Sequence, residues 1–187
     1  MAKRVLLLAS GSGSLAQALF DAPFHDRCEF VGLISDKQSL ALSRAQEAGV
    51  PGFYLPMRED RREWDDDITS LTQSLSPDLV ISVGFMRILS AEYVAGFKVM
   101  NTHPALLPAF PGAHAVRDAL AAGVTQTGTS VHWVDAGVDT GPVIAQRAVE
   151  VKPGDSEESL HERIKIVERD LIVEALTAWL DENDGAQ

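Results

Sequence analysis

The sequence predicts an α/β fold in three layers, with a mostly parallel sheet and an antiparallel pair of strands near the C-terminal part. Two short apolar runs, residues 5–9 and 79–84, are bounded by turn-forming residues, which is typical of strands buried on both faces of a parallel sheet. Strands and helical segments alternate along the first half of the chain. Two later β-rich segments, 127–134 and 143–151, are joined by a short connection without a helix, which favours antiparallel pairing.

The elements of the first half follow from apolar runs and stop signals. Predicted strands cover residues 5–9, 30–34, 52–55 and 79–84, and predicted helices cover 15–20, 39–48 and 58–74. Gly49 ends the second helix and Pro77 follows the third. In the third helix, Trp64, Ile68 and Leu71 are spaced by three or four residues, which indicates an amphipathic surface helix.

The second half contains a short strand at 98–101, a helix at 113–122, the antiparallel pair and a long closing helix at 156–180. Glu157 and Glu158 favour the start of that helix because they face the positive end of its dipole. We expect a frayed tail over residues 181–187. No repeat or interdomain linker interrupts the sequence, which predicts one domain over residues 1–187.

Composition excludes several classes of function. The 187 residues are 45% hydrophobic and 23% charged, as in ordinary globular chains. A net charge of −11 opposes binding to nucleic acid but leaves a small phosphorylated substrate possible. The single cysteine, Cys28, cannot form an intramolecular disulfide or a zinc site built on cysteine pairs. The apolar run at 5–9 is too short for a signal peptide, so we expect a cytoplasmic protein without a membrane segment.

The first candidate site is the loop that joins the first strand to the first helix. Gly11, Ser12, Gly13 and Ser14 place backbone N–H groups and a helix dipole where a phosphate could bind. No lysine follows the glycines and the third glycine of the dinucleotide fingerprint is missing. A glycine-rich turn without a ligand explains the loop equally well.

The second candidate site begins at the end of the strand at 98–101. Asn101 and His103 lie on the same side of an extended chain, and Pro104 stiffens the backbone directly after them. An amide beside an imidazole suits the stabilisation of an oxyanion and the transfer of a proton. Asp139, in a later polar loop, could orient and charge His103. A structural cap for the first two residues and a turn role for Asp139 are the alternatives.

No serine or cysteine nucleophile stands beside these three residues in the sequence. A substrate would therefore have to supply the nucleophile itself. The pattern favours group transfer to an amine or to water over chemistry that passes through an acyl-enzyme.

A set of motifs in fixed order carries a family resemblance. They are Gly-Phe-Met-Arg-Ile-Leu at 84–89, Asn-Thr-His-Pro-Ala-Leu-Leu-Pro at 101–108, Phe-Pro-Gly at 110–112, Gly-Thr-Ser-Val-His at 128–132 and Asp-Thr-Gly-Pro-Val-Ile at 139–144, followed by Gln146. From about residue 4 to about residue 180, the chain resembles the phosphoribosylglycinamide formyltransferases of purine biosynthesis. The resemblance implies a Rossmann-like three-layer fold with one formyltransferase domain over residues 1–187.

The resemblance also implies a reaction. The formyl group of 10-formyltetrahydrofolate would pass to the amino group of glycinamide ribonucleotide, giving N-formylglycinamide ribonucleotide and tetrahydrofolate without a metal. Asn101 and protonated His103 would donate to the oxygen that becomes negative, and Asp139 would support the imidazolium. These three residues match the catalytic positions of the family.

The same resemblance assigns binding residues to this chain. Those matching the folate site are Arg61, Phe85, Met86, Arg87, Ile88 and Leu89, together with Asn101. Those matching the ribonucleotide phosphate site are Gly11, Ser12, Gly13, Ser14 and Leu15, and Lys165 and Glu168 fall near the ribose.

The chain departs from the family in two places. Leu15 stands where relatives usually have asparagine, which leaves only backbone N–H groups in the phosphate loop. Lys165 stands where a neutral polar residue is more usual. His132 belongs to a shared motif, and we expect a buried, hydrogen-bonded histidine near the site, whereas His161 is expected on the surface.

Other interpretations remain to be separated. Methionyl-tRNA formyltransferases and formyltetrahydrofolate deformylases are similar in the Asn, His and Asp pattern, but they carry an additional domain after or before the core. The length and acidity of this chain favour the ribonucleotide enzyme, as a monomer or a homodimer. An NAD-dependent oxidoreductase is suggested only by the strand-glycine-helix opening and by Asp36 near the end of the second strand.

Overall fold

A seven-stranded sheet runs through the centre of the molecule, whose computed structural model describes residues 1–184. The elements in chain order are β1 (Lys3–Ala9), α1 (Ser14–Asp21), β2 (Cys28–Ser35), α2 (Leu40–Glu47), β3 (Gly52–Tyr54), α3 (Arg61–Leu75), β4 (Leu79–Ser82), α4 (Ala91–Gly96), β5 (Val99–His103), α5 (Ala115–Ala121), β6 (Gln126–Trp133), β7 (Val143–Glu150) and α6 (Glu157–Asp184). A short 3₁₀ turn, His25–Arg27, precedes β2. Residues 185–187 of the predicted domain lie outside the described part.

The strand order is β3-β2-β1-β4-β5-β6-β7. Neighbours from β3 to β5 are parallel, whereas β6 is antiparallel to both β5 and β7. The predicted antiparallel pair is therefore confirmed, and the β5–β6 pairing adds a second antiparallel ladder. In that ladder Asn101 lies opposite His132, which brings the two side chains of different motifs together.

Helices cover both faces of the sheet, which gives the predicted three layers. In β1, Val5, Leu7 and Ala9 pack on one side with apolar residues of α1, α2 and α6. Leu6 and Leu8 pack on the other side with residues of α3 and α4. All five side chains are fully buried. The uninterrupted apolar run of β1 is thus explained, because each face needs its own apolar residues.

The structure contains one helix that the sequence patterns do not predict and one helix end that they misplace. The sequence gives no prediction for α4, which has six residues and is capped by Ser90, whose hydroxyl accepts from the Tyr93 N–H at 3.1 Å. Helix α6 continues to Asp184 instead of fraying from residue 181. Arg27 forms ion pairs with Asp181 at 2.6 Å and Asp184 at 2.8 Å, which hold the last helical turns against the body of the protein.

The topology creates a crevice at the carboxyl ends of the central strands. From β1 the chain proceeds to β2 on one side, and from β4 it proceeds to β5 on the other side. Ligands of open α/β sheets bind where the strand order reverses in this way. The loops after β1 and β4 also contact each other, since the Met86 N–H donates to Ser10 Oγ at 2.9 Å.

Candidate active site

A cleft of about 630 Å³ opens at this crevice, a volume typical of small-molecule sites. Its lining includes all the site residues predicted above except Arg61: Gly11, Ser12, Gly13, Ser14, Leu15, Phe85, Met86, Arg87, Ile88, Leu89, Asn101, His103, Asp139, Lys165 and Glu168. The fold therefore brings segments from both halves of the chain to one place.

Asn101, His103 and Asp139 meet at the end of β5. Asn101 and His103 project from the same side of the strand, as its alternation predicts. The His103 Nδ1 atom lies 3.3 Å from Asp139 Oδ2, so the predicted contact between the two residues is present. His103 is 4% exposed, which keeps most water away from this pair.

Both ring nitrogens of His103 face acceptors. Nε2 donates to the carbonyl oxygen of Phe110 at 2.8 Å, and Nδ1 faces the carboxylate of Asp139. A carbonyl and a carboxylate accept hydrogen bonds but cannot donate them, so full use of both contacts requires the doubly protonated, cationic ring. The geometry therefore suits an imidazolium.

Asp139 is held in a defined position. Its φ of 53° lies in the left-handed region, and its Oδ2 accepts from the Gly112 N–H at 2.8 Å. The pKa of the Asp139 carboxyl is lowered, first by the contact with His132 and then by the Gly112 N–H and the charge of His103, while partial burial opposes the shift. Asp139 is therefore an anion at neutral pH.

His132 connects Asn101 to Asp139. It is 1% exposed, its Nδ1 donates to the Trp133 carbonyl at 2.9 Å, and its Nε2 lies 3.2 Å from Asn101 Nδ2. The same Nε2 lies 3.5 Å from Asp139 Oδ1. The prediction of a buried, hydrogen-bonded histidine near the site is confirmed, and its contacts fix the amide of Asn101.

The glycine loop after β1 presents its backbone to the cleft. Gly13 takes the N-cap position of α1 with a φ of 72°, and no side chain within residues 1–184 caps this helix start. A Cβ at Gly13 would lie 2.6 Å from the Cα of Ala41, so the close contact with α2 also requires glycine. Leu15 is 7% exposed and packs in the core. The loop can therefore donate through its backbone N–H groups and the hydroxyls of Ser12 and Ser14, but not through the side chain of Leu15.

The loop after β4 has an apolar outer edge and a charged anchor. Met86 and Ile88 are 62% and 65% exposed, which is unusual for large apolar side chains. Arg87 Nε lies 2.6 Å from Asp36 Oδ2, and the Asp36 side chain is fully buried. Because the Asp36 side chain is fully buried and its Oδ2 pairs with Arg87, it is not open to a ribose, which removes the acidic residue that the oxidoreductase interpretation needs.

Glu168 and Lys165 lie on the face of α6 that borders the cleft. Glu168 is 5% exposed, and burial raises the pKa of its carboxyl although hydrogen bonds with Thr102 and Thr129 oppose the shift. Lys165 Nζ lies 2.7 Å from Glu162 Oε1.

Comparison with known proteins identifies the family. Residues 3–176 match the family model described as formyl transferase. The chain belongs to the formyl transferase family.

This formyl transferase is similar to several proteins of purine biosynthesis. The chain is 51% identical over 182 residues to the phosphoribosylglycinamide formyltransferase of Mycobacterium tuberculosis, and the match covers 94% of this chain and 84% of the relative. It is 41% identical over 180 residues to the human trifunctional purine biosynthetic protein adenosine-3, covering 92% of this chain and 18% of the human protein. Glycinamide ribonucleotide transformylase 1 from Symbiobacterium toebii has a similar solved structure, with a TM-score of 0.92, 37% identity and coverage of 97% and 89% of the two chains.

Arg61 lies outside the cleft lining of this formyl transferase. Its guanidinium donates to the Ile88 carbonyl, pairs with Asp65 at 2.8 Å and lies 5.0 Å from the ring centre of Trp64. Arg61 therefore stabilises the exposed loop after β4 through the Ile88 carbonyl. A folate contact of Arg61 remains a prediction.

Lys37 and His161 are among the polar cleft residues of this formyl transferase that sequence patterns missed. Lys37 lines the cleft and stands two residues after the end of β2, so the rule that ligands collect at the carboxyl ends of parallel strands would have found it. His161 also lines the cleft, where it is half-buried one turn before Lys165 on the same face of α6. Burial lowers the pKa of His161, and Lys165 lowers it further.

The described part of this formyl transferase, residues 1–184, holds no group of three or more His, Cys, Asp or Glu side chains arranged to bind a metal ion. None of the helices within that range is both long enough and apolar enough to cross a membrane.

Proposed function

We propose that this formyl transferase passes the formyl group of 10-formyltetrahydrofolate to the amino group of glycinamide ribonucleotide in de novo purine biosynthesis. The products are N-formylglycinamide ribonucleotide and tetrahydrofolate. The observation that carries the proposal is the meeting of Asn101, His103 and Asp139 in one cleft that the glycine loop and the loop after β4 also line. A cleft of this form can hold two substrates with their reacting groups side by side.

The proposed chemistry depends on hydrogen-bond donors near the formyl oxygen. When the substrate amine attacks the formyl carbon, that oxygen becomes negative, and Asn101 Nδ2 and protonated His103 donate to it. As the oxyanion collapses, the bond between the formyl carbon and N10 of the folate breaks, and the proton that the amine loses passes to N10, which gives tetrahydrofolate. Asp139 holds the imidazolium in place through Nδ1. The Nε2–H of His103, which donates to Phe110 in this structure, has to exchange the Phe110 carbonyl for the substrate oxygen.

The loop after β4 suits a flat aromatic ligand such as the pteridine of the folate. Met86 and Ile88 expose large apolar side chains at the cleft, and a bound ring would cover them. In the proposal, Phe85, Arg87 and Leu89 complete this folate site. Asn101 borders it, and Arg61 contacts the glutamate tail.

The glycine loop suits the phosphate of the ribonucleotide. The uncapped start of α1 offers backbone N–H groups and the positive end of a helix dipole. In the proposal, the loop from Gly11 to Leu15 binds the phosphate and Lys165 and Glu168 contact the ribose. Neither substrate requires a metal, a nucleic acid or a membrane, and we place the enzyme in the cytoplasm as one domain.

An acceptor assay tests the proposal. The purified chain is mixed with 10-formyltetrahydrofolate and, in separate reactions, with glycinamide ribonucleotide, charged initiator tRNA or water alone. We expect rapid formation of tetrahydrofolate only with the ribonucleotide, and formylated ribonucleotide by mass spectrometry. Release of formate without an acceptor would instead indicate a deformylase, and formylated tRNA would indicate the tRNA enzyme.

A further inference from the structure

The segment after β2 fixes the backbone of Lys37 beside the cleft. Ser35 is fully buried, and its hydroxyl donates to the Lys37 carbonyl at 2.7 Å and lies 3.3 Å from the Lys37 N–H. The intervening Asp36 is held by Arg87 at 2.6 Å. Partly buried hydrogen bonds and the ion pair of a buried carboxylate therefore anchor this turn, although the side chain of Lys37 is exposed.

The same segment leads into the contact with the glycine loop. The Ala41 N–H donates to the Gly11 carbonyl at 3.3 Å, and Gly13 packs against Ala41 so closely that a Cβ would lie 2.6 Å from its Cα. Lys37 stands four residues before Ala41 and lines the same cleft as Gly11 and Gly13. A lysine carries its charge at the end of a long, flexible side chain, so the ammonium of Lys37 can reach different positions along this cleft.

Lys37 also differs from the other cations of the cleft. Arg87 is paired with Asp36, and Lys165 is paired with Glu162. Within residues 1–184, no carboxylate forms an ion pair with Lys37. Its ammonium is thus available to an anion, in a chain whose net charge of −11 otherwise repels one.

We propose that Lys37 binds the phosphate group of the ribonucleotide, adding a full positive charge to the backbone N–H groups of the glycine loop. This assignment rests on the proposed function and names one further specificity residue for it. The physical reason is that a phosphate monoester carries up to two negative charges, and neutral N–H groups offset them only in part. A lysine acts here as a point charge that favours a phosphorylated over an unphosphorylated ligand.

The test compares Lys37→Ala with Lys37→Arg and with Lys152→Ala. Lys152 is an exposed lysine outside the cleft lining, so its loss changes the net charge equally without touching the site. Binding of ribose 5-phosphate and of glycinamide ribonucleotide is measured by calorimetry at low and moderate salt, and KM is measured for both substrates. Ribose 5-phosphate lacks the amine, so its binding reports on the phosphate end alone.

We expect Lys37→Ala to weaken both phosphorylated ligands by about tenfold at low salt, with a smaller effect at higher salt because the charge is screened. Lys37→Arg keeps the charge and should bind within about threefold of the parent, while the folate KM stays unchanged in every variant. Ribose 5-phosphate binding that is equal in Lys37→Ala and Lys152→Ala overturns the assignment, as does a rise in the folate KM. If the parent does not formylate the ribonucleotide, the proposed function fails, whereas the ribose 5-phosphate result still decides the role of Lys37.

Discussion

Glu168 is a buried acid whose carboxyl is costly to ionise. The carboxyl is 5% exposed, and burial raises its pKa because a carboxylate loses water there. Hydrogen bonds with Thr102 and Thr129 and the charge of Lys165 offset part of this cost. A costly buried acid beside a cleft is typical of a functional position.

Replacement of Glu168 by glutamine should change how stability depends on pH. The unfolded carboxyl titrates near pH ~4.3, and the folded one titrates higher, so the folded state binds more protons between these values. The free energy of unfolding of the parent therefore falls as the pH rises through this window. Glutamine does not ionise, so the free energy of unfolding of Glu168→Gln does not fall in this way. The variant should therefore be more stable than the parent at pH ~8, and the difference should shrink towards pH ~5.

Urea unfolding at several pH values measures this difference. Glu47→Gln, at an exposed position, is the matched control and should change stability by less than ~0.5 kcal/mol at each pH. A stability difference for Glu168→Gln that does not vary with pH would contradict the account of its burial.

The roles of individual residues are only partly readable from the sequence. The contact of His103 with Asp139 is predictable because His103 stands in a recognisable motif at the end of a strand and Asp139 stands in one in a later loop. The contact of His103 with the Phe110 carbonyl is not predictable, because it depends on a φ of 53° at Phe110 that no local sequence pattern indicates. The partner of Arg87, Asp36, is equally hidden because the two residues are distant in sequence and meet only in the folded sheet.

Among the structural elements, the Asp36–Arg87 ion pair ties the end of β2 to the loop after β4. Asp36→Asn should destabilise the protein by about 1–3 kcal/mol, because Arg87 would lose its charged partner in a half-buried place. The folate KM should also rise more than the ribonucleotide KM, since the loop after β4 is the proposed folate site. Glu174→Gln breaks the exposed pair with Arg147 and should cost less than ~1 kcal/mol.

Denaturant unfolding and the two KM values check this prediction together. Equal stability losses for Asp36→Asn and Glu174→Gln would mean that the Asp36–Arg87 pair does not hold the loop after β4. Equal rises in both KM values would place its effect outside the folate site.

The contact between the glycine loop and α2 gives a further prediction at this scale. Gly13→Ala introduces a Cβ that would lie 2.6 Å from the Cα of Ala41, at a φ of 72°. Gly49→Ala is strained in the same way, at a φ of 74°, but its Cβ would meet nothing within 4 Å. We expect a loss of about 1 kcal/mol for Gly49→Ala from strain alone and of about 2–4 kcal/mol for Gly13→Ala from strain and overpacking. Similar melting temperatures for the two variants would show that α2 can move away from residue 13 at little cost.

The sequence predicts most elements because their apolar patterns are long or uninterrupted. The central strands β1 and β4 and the long helices α3 and α6 are of this kind. Helix α4 is missed because its six residues are too few to show a period, and it is stabilised by burial of Tyr93, whose hydroxyl bonds to Thr72 at 2.9 Å. The end of α6 is misjudged because its ion pairs come from Arg27, far away in the sequence.

For the molecule as a whole, topology explains why one cleft unites distant motifs. The strand order reverses between β1 and β4, so the loops that follow these strands and β5 open towards the same crevice. The antiparallel ladder between β5 and β6 then places His132 opposite Asn101. Sequence patterns locate the strands, but pairing across the sheet depends on the packing of the complete fold.

The turnover of Asp139→Asn tests the central claim most directly, because it removes the charge on which the proposed imidazolium depends. Asparagine tolerates the left-handed backbone of this position and can still accept from the Gly112 N–H, so the variant should fold normally. We predict that formyl transfer from 10-formyltetrahydrofolate to glycinamide ribonucleotide slows by about 10²–10⁴ in a single-turnover measurement with both substrates bound, while both dissociation constants change by less than about threefold. Near-normal turnover in a variant with the parent's melting temperature would contradict the account and reduce Asp139 to a turn residue.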